Sequence, residues 1–115
     1  MDAGEKQRLM DEGRACFLRG EFYEAHEHWE AVWDEADDPE RRWIQGMIQV
    51  ATGLHKVTRG RSDIALGLLR RALDKLRDAP AALHGVDVGG MVADAREAAA
   101  QIDRGERPDP RKVRA

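Results

Sequence analysis

Twelve consecutive residues, FYEAHEHWEAVW from Phe22 to Trp33, hold two histidines, three glutamates and four large aromatics. His26 and Glu30 stand one helical turn apart, and a rotation of roughly 100° per residue brings Phe22, Trp29 and Trp33 onto their face. The same phase sends Glu24, His28 and Glu35 to the opposite side and leaves Glu27 at the edge. A histidine held by a carboxylate carries protons near neutral pH. At i, i+4 the same two side chains can chelate a divalent metal. HEHWE keeps the spacing of the zinc-binding HExxH motif, with Glu30 in place of the second histidine and Glu27 at the general-base position. No nucleophilic serine or reactive cysteine accompanies them. Burying such a pair among aromatics costs on the order of several kcal/mol unless partners satisfy it. The phase therefore predicts His26 and Glu30 buried, His28 exposed, and partners nearby.

A second segment can supply those partners. In WIQGMIQVATGLHK, Gln45 and Gln49 share a face, with Ile48 and His55 beside it. Gly46 and Gly53, two turns apart, let another helix approach closely. A short connector between the two segments predicts antiparallel packing, so their polar faces are expected to meet. His26, Glu27, Glu30, Gln45, Gln49 and His55 support three readings. They can form a buried hydrogen-bond network, line a polar pocket for a small molecule, or, through His26, Glu30 and His55, hold a divalent metal for metal-assisted chemistry. Glutamine is a poor zinc ligand, which rules out a metalloprotease assignment.

Helical periodicity runs through the chain, and two-residue alternation is absent. Leu9, Gly13, Cys16 and Phe17 define a first helix that Gly20 ends. A second is expected from Glu21 to Ala36 and a third from Arg41 to Arg59, with Asp38 as N-cap and Pro39 in the first turn. The fourth, SDIALGLLRRALDKL, opens on Ser62 or Asp63 as cap and buries Ala65, Leu68, Leu69, Ala72, Leu73 and Leu76. HGVDVGG reads as a loop, and a fifth helix carries Val88, Met91, Val92, Ala95, Ala99 and Ile102. Beyond Gly105, ERPDPRKVRA has no apolar period and reads as a flexible, basic tail. The division is one helical domain over 1–104 and a tail over 105–115.

Sliding the chain by forty residues lays Gly13, Gly20 and Ala25 on Gly53, Gly60 and Ala65, and Trp29 and Trp33 on Leu69 and Leu73. One helical hairpin is written twice, with a spacing similar to tetratricopeptide repeats. Two hairpins are too few for a long solenoid. The fold class is all-α: a compact bundle of about five helices, two hairpins closed by a C-terminal helix.

Of the 115 residues 36% are charged and 42% hydrophobic, with a formal net charge of -3. That balance argues against a dedicated nucleic-acid binder. No apolar run reaches the ~20 residues of a membrane helix. The charged opening, MDAGEKQRLMDEGR, lacks a signal-peptide pattern, so the expected location is the cytoplasm. The single Cys16 excludes an internal disulfide. The acidic DEADDPE lacks the ligand order of an EF-hand loop. The cations of the fourth helix and the tail read as solvated faces.

FYEAHEHWEAVW, then WIQGMIQVATGLHKVTRG, then ALGLLRRALDKL resembles the domain-of-unknown-function 309 family of small all-helical proteins. The resemblance runs from about Phe17 to Leu76. It implies that Glu24, His26, Glu27, Glu30, Trp33, Gln45, Gly46, Gln49 and His55 occupy the family's signature positions, and it brings no reaction with it. The sequence thus predicts a small binding module with a buried His/Glu/Gln pocket for a small molecule or peptide. Its alternatives are a metal-assisted or acid-base enzyme using the same residues, and a peptide-binding helical scaffold. A homo-oligomer is compatible with all three.

Overall fold

In the computed structural model, which describes residues 1–115, local chemistry marks the ends of several helices. The first, α1 (Ala3–Leu18), is capped by the Asp2 carboxylate, which accepts from the Glu5 amide at 2.8 Å. Its end is a Schellman closure, in which the Glu21 amide reaches the Cys16 carbonyl at 2.8 Å and the Gly20 amide the Phe17 carbonyl at 3.0 Å. Gly20 sits at φ +81°, which a side chain would resist. The chain then enters α2 (Phe22–Trp33), crosses the acidic connector and forms α3 (Glu40–Thr58). The closure recurs at the end of α3, with Arg61 bonded to Lys56 at 2.8 Å around Gly60 at φ +74°. After α4 (Ser62–Lys75) comes a small antiparallel hairpin, β1 (Ala82–Leu83) and β2 (Val86–Asp87). Both of its central residues, His84 and Gly85, have positive φ, as the type I′ hairpin turn requires. Asp87 then caps α5 (Val88–Asp103) by accepting from the Gly90 amide.

The forty-residue repeat is visible as geometry. α1 packs against α2 and α3 against α4, two successive hairpins. A Cβ on Gly13 would lie 2.3 Å from the Trp29 indole nitrogen, and one on Gly53 would lie 3.2 Å from Leu69 Cδ2. The first hairpin needs glycine to close, whereas at the second a Cβ would ask Leu69 to give by a few tenths of an ångström. Trp29, Phe17, Met10, Ile44, Met47, Leu54, Leu69 and Met91 form the fully covered centre of the core. Phe17 meets Phe22 edge-on at 5.1 Å and Trp29 at 5.8 Å. No helix is long and apolar enough to cross a membrane.

Four expectations need correction. α2 is shorter than predicted, because the chain leaves it through i→i−3 turns at Glu35 and Ala36. Asp38, Ser62 and Asp63 are not caps; Pro39 and Arg61 hold those positions without a side-chain cap bond. The HGVDVGG segment contains the second hairpin strand and the first turn of α5 rather than a plain loop. Lastly, 105–115 is docked rather than loose: a 3₁₀ turn, Pro110–Lys112, precedes Val113 and Ala115, both buried. Two apolar side chains with no helical period were too weak a signal to read.

Candidate functional site

The inner face of α2 is fixed by Phe22, Ala25, Trp29 and Val32, all buried against α1 and the core. Whatever lies across from them must face out. Tyr23, His26, Glu27, Glu30, Ala31 and Asp34 do so, lining an open groove of about 330 Å³ along the helix.

His26 is the best-fixed group in it. Its Nδ1–H donates to the Tyr23 carbonyl at 2.7 Å, so Nε2 is the nitrogen left facing Glu30, 3.1 Å from Oε2. The His26 side chain is 17% exposed and that of Glu30 is 53% exposed. His28 meets Glu12 across the α1–α2 hairpin at 3.4 Å, with its side chain 33% exposed. The expected deeply buried pair is therefore not formed: His26 is better covered than His28, but Glu30 stands in solvent and no polar residue of the chain is buried. The aromatics alone misplace the face. Ala25 and Val32 rotate its centre by several tens of degrees, leaving His26 at the border and Glu30 outside.

The predicted meeting of α2 and α3 occurs through an aromatic ring. Tyr23 packs edge-on against His26, with centroids 4.9 Å apart, and against His55 at 5.6 Å. No hydrogen bond joins His26, Glu27 or Glu30 to Gln45, Gln49 or His55, which corrects the expected network. Gln49 turns the other way and accepts from Lys75 of α4 at 3.0 Å. Gln45, one turn earlier, is half-buried on the same helix. The His26–Glu30–His55 metal set is likewise not assembled, since no three His, Cys, Asp or Glu side chains are placed to hold one ion. At the far end of α2 the Arg41 guanidinium lies 3.9 Å over the Trp33 ring.

The family described as Domain of unknown function (DUF309) matches residues 10–68. The chain belongs to the DUF309 family. That span contains the whole α2 groove, all six predicted site residues and both glycines of the hairpin contacts. An uncharacterized protein of Aquifex aeolicus (strain VF5) is 26% identical to this DUF309 chain over 102 residues. The match takes in 88% of this chain and 31% of that relative, so the chain spans less than a third of the relative's length.

Sequence reasoning missed Tyr23 and Asp34, although a signal was present. Positions 23, 26, 27, 30 and 34 fall on one helical stripe, and from Glu21 to Glu40 the DUF309 chain has nine carboxylates and no lysine or arginine. From Arg41 onward fifteen cations face nine carboxylates. The charges are segregated along the chain even though its net charge is small.

The His55 imidazole is held below its ordinary range. Burial lowers its pKa first, and Lys56 and Arg59 lower it further, against an opposing pull from Glu24. By NMR, His55 is expected to titrate below the ordinary histidine value of about 6.5. Arg59→Gln should move it back up. A titration at or above the ordinary value would show that neither burial nor the two cations reach the ring.

Proposed function

We propose that this DUF309 chain is a binding module whose α2 groove engages a cationic ligand, a guanidinium or ammonium group. The observation that carries this reading is the stripe itself. Glu27, Glu30 and Asp34 line one groove with an exposed phenol ring and a fixed imidazole, in a segment with no cation of its own. Carboxylates attract the charge, and the face of Tyr23, which is 49% exposed, offers a cation–π surface. The openness of the groove favours binding over the enzyme alternative. Proton transfer by a carboxylate is strengthened where surrounding atoms shield it from bulk solvent, and Glu30 is more than half exposed.

The test is calorimetric titration with an arginine-rich peptide and an uncharged glutamine counterpart. The arginine peptide is expected to bind, and to weaken between about 50 and 200 mM salt as the charges are screened. Glu27→Lys with Glu30→Lys should reduce its affinity by about tenfold or more, corresponding to at least about 1.4 kcal/mol. Equal affinity of the double variant and the parent, or equal binding of the glutamine peptide, would defeat the proposal.

A further inference from the structure

Residues 106–115 form a strap across three helices. Arg14 of α1 donates to the Ala115 carbonyl oxygen at 2.7 Å. Arg107 donates to the Val57 carbonyl of α3 at 3.1 Å. Arg114 is held by Asp94 of α5, which accepts from its amide at 2.9 Å and from its guanidinium at 2.8 and 3.1 Å. Those bonds hold the Asp94 carboxyl below the usual carboxylate range. The aliphatic part of the Arg111 side chain fills the space over Gly20, where a Cβ would lie 2.8 Å from Cδ. Val113 and Ala115, two residues apart with one arginine between them, are 6% and 3% exposed and continuous with the main core. α1 and α3 are the equivalent first helices of the two hairpins, and stacked hairpins present extended surfaces of the kind repeat proteins use for binding.

The strap differs from the rest of the fold in how it is held. Its backbone bonds beyond Glu106 are local, from Lys112 to Asp109 and from Val113 to Pro110. Apart from the Glu106 amide, which closes the end of α5 on the Gln101 carbonyl at 2.8 Å, every hydrogen bond from the strap to a helix runs through a side chain. Its seam with α5 is also not close-packed: an open cavity of about 260 Å³ lies between Glu97 and Gln101 on one side and Arg107 and Asp109 on the other. A segment anchored this way opens at lower free energy than the helices beneath it.

We propose that the α1–α3–α5 face is a second binding site, for an extended basic segment of a partner protein, which residues 106–115 occupy in cis. The strap shows the chemistry the site accepts: two small apolar side chains at alternate positions, with an arginine between them that meets Asp94. The site shares no residue with the α2 groove and stands or falls independently of it. While the strap is seated, a partner competes against an intramolecular ligand, so the intact chain binds weakly.

The experiment uses the full chain and a fluorescent peptide with the sequence of residues 106–115. Val113→Asp releases the strap by placing a charge where an apolar side chain was buried. The Val113→Asp chain is expected to bind the peptide at least about tenfold more tightly than the parent does. A peptide carrying the same valine-to-aspartate change should bind neither chain. Equal affinities for parent and folded variant would overturn the proposal. Concentration-dependent dimerisation of the parent that Val113→Asp abolishes, with no peptide binding, would overturn it in favour of strap exchange between two copies. Native-state hydrogen exchange of the parent decides the matter even if the variant does not fold. The Val113 and Arg114 amides should exchange by local opening, faster than Leu54 in α3 and with little denaturant dependence. Exchange as slow as that of Leu54, with the same denaturant dependence, would make the strap an integral part of the core and end the proposal.

Discussion

Trp29→Ala is expected to lower the unfolding free energy by about 3–5 kcal/mol, the range for deleting a buried large aromatic. Trp29 is fully covered, packs on Phe17, and donates its indole N–H to the Met10 carbonyl at 3.3 Å. Truncation removes the contacts and the hydrogen bond together. Gly13→Ala tests the same junction from the other side. Its new Cβ would meet the indole at 2.3 Å, and the rigid ring cannot yield by bending. Overpacking of this kind costs about 1–3 kcal/mol, against which the better helix propensity of alanine returns up to about 1 kcal/mol. The repeat supplies the control. At the matching junction, Gly53 faces Leu69, and a Cβ would sit at 3.2 Å. In a Trp29→Leu background, Gly13→Ala should therefore cost less than in the parent, measured by urea denaturation in a double-mutant cycle. An equal cost in both backgrounds would show that the indole is not what keeps residue 13 small.

That junction also shows why the fold was legible in the sequence. A closely packed helical hairpin needs a small residue opposite a large one and a glycine where the chain reverses, and those demands recur at a fixed distance along the chain. Gly13, Gly20, Ala25 and Trp29 and their counterparts forty residues on record them. The candidate site was legible only in part. Helical phase placed His26 beside Glu30 and sent Glu24 outward, as the structure has them. It failed at the scale of one side chain, because three aromatics were allowed to define a face that two small residues, Ala25 and Val32, shift. Gln49 was misdirected for a different reason: pairing across helices depends on which neighbour each flank of α3 meets, and Lys75 lies on the α4 flank. Nor could local pattern reveal the strap, whose two buried side chains are placed by contacts with α1, α3 and α5.

The network around Glu40 is of the same long-range kind. Lys6 of α1 approaches the Glu40 carboxylate at 2.9 Å, and the His84 imidazole donates to it from the hairpin turn. The Gln7 amide holds the His84 carbonyl at 2.9 Å. One half-buried carboxylate thus ties together α1, the start of α3 and the hairpin. Burial alone would raise its pKa, but the bonds from Lys6 and His84 outweigh that and leave it below the usual glutamate value. A carboxylate with a depressed folded-state pKa adds stability at pH values above its unfolded pKa. That contribution is lost as the pH falls through the folded value. Glu40→Gln is therefore expected to cost about 1–2 kcal/mol near neutral pH, the low end for hydrogen bonds to a charged group at a partly exposed site. The difference between parent and variant should hold steady down to about pH 5, begin to shrink near the unfolded value of 4.5, and close at lower pH. Urea denaturation across that range checks the course. A difference that widened as the pH fell below about 5, where the carboxylate itself takes up its proton, would mean that it is destabilised in the folded state and that Lys6 and His84 do not hold it ionised.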